Sequence, residues 1–169
     1  MSLILEGFMG SGKSVVGRSL SERLGVPFID TDSEIESRQG CAVADIFSYA
    51  GEEAFRQMET SMLYGLYLSE PDAVISLGGG TPIRAANKDI IKKLGRVIYL
   101  KAPASVLIKR LEKEAEVRPM LDGFDLAGRV SSLLEAREAG YLRIADHVID
   151  VSEGSIPEIC DRIIRETGF

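Results

Sequence analysis

Apolar positions along the chain fall into short continuous runs separated by segments of helical period. Runs at Leu3–Leu5, Pro27–Asp30, Ala73–Leu77, Arg96–Leu100 and His147–Val151 read as five strands. Between them apolar residues recur three and four apart, as in Val15, Val16, Leu20 and Leu24, or Phe55, Met58, Met62 and Leu66, or Val106, Leu107 and Leu111. Leu126, Val130, Leu133 and Leu134 form a further stripe, and Ile156, Ile159, Ile163 and Ile164 form the last, in a helix from about Ser155 to Glu166. Strands alternating with helices predict a parallel sheet covered on both faces, with ligands at the carboxyl ends of its strands.

The loop after the first strand is Gly7-Phe8-Met9-Gly10-Ser11-Gly12-Lys13-Ser14, which fits G-x-x-x-x-G-K-[ST] between a strand and a helix. Glycines suit a phosphate cradle, because backbone N–H groups must turn inward in conformations and at distances that a Cβ obstructs. The helix behind adds its N-terminal donors. Lys13 then reaches the outer phosphates as a point charge, and the Ser14 hydroxyl binds the magnesium ion that travels with the nucleotide. The first helix ends near Leu24-Gly25, where glycine takes the left-handed cap.

The second strand delivers Ile29-Asp30-Thr31-Asp32. If the chain stays extended there, Asp30 and Asp32 face the phosphate loop together. Equally, Asp32, Thr31 or Ser33 serves only to cap the helix that begins at Glu34. The third strand, Val74-Ile75-Ser76-Leu77, ends without the aspartate that often holds magnesium in nucleotide hydrolases. That absence turns attention to Asp30 and Asp32, with Ser76 as weaker support, and leaves one carboxylate free to act as a general base.

Four other features carry candidate chemistry. Gly78-Gly79-Gly80 follows a buried strand and exposes backbone donors to a small ligand, unless it is a plain turn. Arg56 and Glu59 lie one turn apart in Gly51-Glu52-Glu53-Ala54-Phe55-Arg56, a spacing read by default as a solvated ion pair worth about 0.2–0.5 kcal/mol. Arg118-Pro119-Met120-Leu121, after the charged run 112–116, reads as a flap carrying one arginine or as a surface loop. Arg137 continues the inward face of its helix, or sits at the helix end before Gly140.

Composition narrows these options. The 169 residues, 45% of them apolar, are about the size of one globular domain. A net charge of −6 argues against general nucleic-acid affinity. No apolar run approaches the roughly 20 residues of a bilayer span, so a cytoplasmic protein without a membrane partner is expected. Cys41 and Cys160 form no C-x-x-C and are expected to be reduced thiols, and His147 lacks partners for zinc.

Taken in order, GFMGSGKS, the Asp30/Asp32 pair, GEEAFR through Arg56, SLGGG from Ser76 to Gly80, RPML from Arg118 and Arg137 ahead of Tyr141 resemble the shikimate kinase family, from about Leu3 to Val151. The resemblance implies a three-layer α/β P-loop kinase fold of the nucleoside-monophosphate-kinase type with a five-stranded parallel sheet. It implies one domain over residues 1–169, with a substrate-binding segment at about 31–60 and a lid at about 112–124. The activity implied is transfer of the γ-phosphate of ATP, with Mg2+, to the 3-hydroxyl of shikimate, giving shikimate 3-phosphate and ADP in aromatic amino-acid biosynthesis. A monomer is expected.

Carried over residue by residue, the resemblance makes Asp32, Lys13 and Arg118 catalytic, with Asp32 the base. It assigns ATP to Gly10, Ser11, Gly12, Lys13, Ser14, Val15, Arg110 and Arg118, with Arg110 against adenine. Shikimate falls to Asp32, Arg56, Glu59, Gly78, Gly79, Gly80 and Arg137, the two arginines clamping its carboxylate. Magnesium falls to Ser14 directly and to Asp30, Asp32 and Ser76 through water. Two departures stand out. The family often has R-x-P-L-Y where this chain has Arg137-Glu138-Ala139-Gly140-Tyr141, which is expected to loosen a turn holding Arg137, and R-P-L-L where it has Arg118-Pro119-Met120-Leu121. A kinase for another hydroxy acid such as gluconate shares the loop without the Arg56, triple-glycine and Arg137 set, and a nucleotide-binding regulatory module is the rival of another class.

Overall fold

The computed structural model describes residues 1–69, 72–117 and 125–169, with the backbone alone for 114–117. Five strands, β1 (Ser2–Glu6), β2 (Phe28–Asp30), β3 (Val74–Ser76), β4 (Gly95–Lys101) and β5 (His147–Asp150), pair in parallel in the order β2-β3-β1-β4-β5. Each predicted strand is present with its ends moved by a residue or two. The buried runs Leu3-Ile4-Leu5 and Val97-Ile98-Tyr99-Leu100 form the centre, where a strand covered on both faces needs no polar alternation.

Among the described residues eight α-helices cover the sheet: α1 (Lys13–Leu24), α2 (Thr31–Gln39), α3 (Val43–Ala50), α4 (Glu52–Ser69), α5 (Lys88–Leu94), α6 (Ala104–Val117), α7 (Leu126–Ile144) and α8 (Ile156–Thr167). One core, with Leu5, Leu20, Leu107, Leu134 and Ile163, packs against the face carrying α1, α6 and α8. The other, with Ile4, Phe55, Leu63, Ile75 and Ile91, lies under α2 to α5. Each fully buried leucine or isoleucine contributes roughly 1.5–3 kcal/mol. The neighbours of β1 are β3 on one side and β4 on the other, so the chain reverses its direction of winding there, and the crevice beyond the end of β1 is the ligand position of open α/β sheets.

Three expectations change. The chain does not stay extended past Asp30: β2 stops there, Thr31 begins α2, and the Asp30 carboxylate caps it by accepting from the Ser33 N–H at 3.3 Å. Arg137 is neither at a helix end nor on a turn, because α7 runs unbroken through Arg137–Tyr141 to Ile144. The chain has Ala139 in place of the family's proline, and alanine favours the helix that proline would strain. Leu133 is exposed rather than part of the inward stripe. Both cysteines are free thiols. The expected lid at about 112–124 lies largely outside the described residues.

Candidate active site

The loop from Gly7 to Ser14 folds as its sequence requires. Gly10 and Gly12 have φ of 77° and 89°, in the left-handed region that disfavours a side chain, and Gly12 caps α1 in that conformation. The Lys13 ammonium folds back over the loop, donating to the carbonyl oxygens of Gly7 and Phe8 at 2.8 and 3.0 Å. Burial lowers its pKa to about 8, against the raising influence of Asp32 and Asp30.

A cleft of about 850 Å³ opens from this loop. Gly10, Gly12, Lys13, Ser14 and Val15 line one side, and Asp30, Asp32, Arg56, Glu59, Ser76, Gly78, Gly79, Gly80 and Arg137 line the rest. Residues from five loops and helices therefore meet at one place. A second hollow of about 330 Å³ shares Gly10, Gly12 and Val15 with the cleft and adds Ser11, Arg110, Val151 and Ile156. Arg110 is pinned there by hydrogen bonds to the carbonyl oxygens of Val151 (2.5 Å) and Gly10 (3.3 Å). Ser11 is buried in the loop rather than on the main cleft, and its hydroxyl has no hydrogen-bond partner. Arg118 lies outside the described residues.

The carboxylates divide the work. The Ser14 hydroxyl donates to Asp30 Oδ2 at 3.0 Å, and Asp30 stands opposite Ser76 in the β2–β3 register. Asp32, the second residue of its helix, points inward, and its buried Oδ1 has no hydrogen-bond partner. Burial, then repulsion from Glu59 and Asp30, raises its pKa to about 6, while Lys13 and Arg56 pull it down. A carboxylate poised near neutrality with a buried free oxygen is suited to receive a hydroxyl proton. Among the described residues no group of three or more His, Cys, Asp or Glu side chains could hold a metal by itself. A hydroxyl with one carboxylate fits magnesium, which keeps most of its waters and takes phosphate ligands with it.

Arg56 and Glu59 are not the solvated pair their spacing suggests. Glu59 is 1% exposed, and Arg56 donates to its Oε2 at 2.7 Å and to Glu52 Oε1 at 3.2 Å. The guanidinium lies against Gly80, where a Cβ would fall 2.4 Å from Nη1, and 5.6 Å from the Phe55 ring centroid. Gly78 makes similar room, since a Cβ there would fall 2.4 Å from Asp32 Oδ1. Gly78 and Gly80 are therefore packing requirements of two cleft side chains, whereas a Cβ at Gly79 would meet its nearest atoms at an ordinary 3.6 Å. Arg137 lies 5.9 Å over the Phe8 ring, and the Tyr141 hydroxyl one turn on donates to the Gly79 carbonyl at 2.6 Å. Lys13, Arg56 and Arg137 give the cleft cationic lining groups within a chain of net charge −6.

Several supporting contacts were not anticipated from the sequence. The Thr31 hydroxyl accepts from the Gly78 N–H at 3.1 Å, Thr81 donates to Glu59, and Glu53 pairs with both terminal nitrogens of Arg84. Glu6, the last residue of β1, is fully buried, and neither carboxylate oxygen has a partner. A lone carboxylate ending an apolar strand was a readable signal; the two threonines carried none.

Comparison with known proteins bears on this arrangement. The family model described as shikimate kinase matches residues 9–167. The chain is 38% identical to a shikimate kinase from Symbiobacterium thermophilum, covering 98% of this chain and 95% of the relative. It is 37% identical to one from Acinetobacter baylyi, covering 97% and 90%. Among solved structures, a shikimate kinase from Acinetobacter baumannii in complex with shikimate superposes with a TM-score of 0.89 at 33% identity over 98% of this chain and 92% of that one. A gluconokinase from Sinorhizobium meliloti shares the fold at a TM-score of 0.60 and 18% identity, over 99% and 95%.

Proposed function

We propose that this chain, which belongs to the shikimate kinase family, transfers the γ-phosphate of ATP to the 3-hydroxyl of shikimate, with Asp32 as base and Arg56 and Arg137 as the carboxylate clamp. The observation that carries the assignment of residues is the convergence of a phosphate loop, a buried carboxylate with a free oxygen and a wedged arginine on one cleft. Phosphoryl transfer asks mainly for positioning and charge neutralisation. Lys13 withdraws from the loop carbonyls to the outer phosphates, and Arg118 is the further cation assigned to them. Asp32 orients the acceptor hydroxyl and takes its proton. Arg56, held on two edges by Glu59 and Glu52, offers its remaining N–H groups to a carboxylate, for which a planar fork is suited. Ser14 directly, with Asp30, Asp32 and Ser76 through water, would hold Mg2+, which when bound neutralises phosphate charge.

The reading extends to a single domain and to a cytoplasmic monomer without nucleic-acid or membrane partners. The acidic net charge supports it, as does the lack, among the described residues, of any helix long and apolar enough to cross a membrane.

A coupled ADP-release assay offering shikimate, gluconate and a nucleoside monophosphate in parallel tests the substrate. Turnover with shikimate alone is expected, and turnover with gluconate instead would overturn the assignment. Arg56→Ala is expected to weaken shikimate binding about thirtyfold, the scale of one charge-assisted interaction lost, while ATP binding stays within about twofold. Isothermal titration with each ligand reads both numbers, and equal losses would remove Arg56 from the clamp.

A further inference from the structure

Arg56 is oriented through Glu59, and Glu59 is oriented from outside its own helix. Its two oxygens are divided: Oε2 accepts from Arg56 at 2.7 Å, and Oε1 accepts from the Thr81 hydroxyl at 2.5 Å. Thr81 is itself fully buried and opens the short turn Thr81–Ile83 directly after the triple glycine. Its N–H donates to the Gly78 carbonyl at 3.0 Å, and its carbonyl accepts from the Asn87 side-chain amide at 3.0 Å. Asn87, also fully buried, closes the circuit onto α4 by accepting from the Thr60 hydroxyl at 2.8 Å. The glycine loop and α4 are thus joined twice, once through Glu59 and once through Thr60.

We infer that Thr81, supported by Asn87, is a positioning residue that sets the Arg56 guanidinium for an anionic acceptor. The inference rests on the reading of Arg56 as a carboxylate-binding group. With Oε1 occupied, Glu59 presents a single oxygen to Arg56 Nη1 while Glu52 holds Nη2, so the N–H groups that neither carboxylate engages stay directed at the cleft. Without the Thr81 hydroxyl, Oε1 is a buried carboxylate oxygen that has lost a donor, which is costly. The carboxylate then turns to present both oxygens to Arg56. A bidentate pair is the stronger arrangement for the two residues alone, and it draws the guanidinium away from Gly80 and out of register with a bound carboxylate. No charge changes; only direction does.

Thr81→Val keeps the shape and removes the donor. We expect it to raise the KM for shikimate about tenfold, leave the KM for ATP within twofold, and be reversed by Thr81→Ser. An unchanged KM for shikimate, or an equal rise for both substrates, would overturn the inference. Urea unfolding establishes that the variant is folded, with Thr81→Ala as the substitute if it is not. The Arg56 Nε–H resonance in the ligand-free protein gives a readout independent of substrate. It is expected to shift in Thr81→Val and return in Thr81→Ser, and an unmoved resonance would also overturn the inference. If the unmodified protein fails to phosphorylate shikimate, the substrate reading falls and this resonance decides the network alone.

Discussion

Replacing Asp32 by Asn should lower kcat for shikimate about a thousandfold, within the 10²–10⁴ range expected of a positioned general base, while the dissociation constant for ATP stays within about threefold. The substitution is nearly isosteric and exchanges an acceptor for an amide. It removes the proton acceptor without opening a cavity, and it relieves the repulsion that Glu59 and Asp30 exert on this carboxylate. The variant should therefore be folded and no less stable. Stopped-time ADP release with saturating substrates, alongside calorimetric binding of each, reads the split between turnover and affinity. A kcat within tenfold of the unmodified protein would exclude an essential base at this position.

The size of that loss has a physical origin beyond proton removal. Phosphoryl transfer passes through a loose transition state in which little bond is made to the acceptor, so late proton transfer alone gives a modest effect. Orientation adds to it. Asp32 Oδ1 is buried, has no partner, and lies where only a glycine at position 78 leaves it room. An acceptor hydroxyl that satisfies this oxygen is fixed in direction, and an asparagine amide in the same place repels or misdirects the hydroxyl hydrogen.

How much of this was legible in sequence differs by element. The five strands were readable because buried parallel strands are continuous apolar runs, and the phosphate loop because its glycines are dictated by backbone conformation. Asp32 was placed in the cleft for an incomplete reason: the strand ends at Asp30, and the first turn of α2, not strand pleating, turns Asp32 inward. The Arg56–Glu59 pair was visible as a spacing but not as a buried pair, because local spacing cannot tell whether another segment covers it. Here the glycine loop does. Thr81 and Asn87 were invisible for the same reason, since their roles exist only once residues more than twenty positions apart are brought together. Helix α3, eight residues long, escaped notice because its apolar positions span barely two turns. In the Arg137 segment the departure from the family's pattern was noticed, but Ala139 continues a helix that proline would strain.

Glu6 leads to the second large effect, on stability. Its side chain ends β1 just ahead of the phosphate loop, opposite Tyr99 in the β1–β4 register, fully buried and without a hydrogen-bond partner on either oxygen. The nearest compensating charges are engaged elsewhere: Lys92 pairs with Asp146 at 2.5 Å, and Lys13 is bonded to the loop carbonyls. Burial is the leading cause that raises the Glu6 pKa from 4.5 to about 8, with Asp146 adding and Lys92 and Lys13 opposing. Between those two values the folded chain holds a proton that the unfolded chain has released. Unfolding then releases a proton, so stability falls as pH rises from about 4.5 to about 8, at up to about 1.4 kcal/mol per pH unit. Glu6→Gln removes this dependence while keeping shape and leaving a similar unpaired polar group, so any packing offset it introduces is the same at every pH. Its stability relative to the unmodified protein should therefore climb between pH 5 and pH 8 by roughly 3–4 kcal/mol. Urea midpoints for both proteins at pH 5.5, 6.5, 7.5 and 8.5 test this, with shared titrations such as that of Asp32 cancelling in the difference. A difference that stays flat across the series would mean that Glu6 is ionised throughout, its charge balanced by Lys13 or Lys92 despite their other bonds.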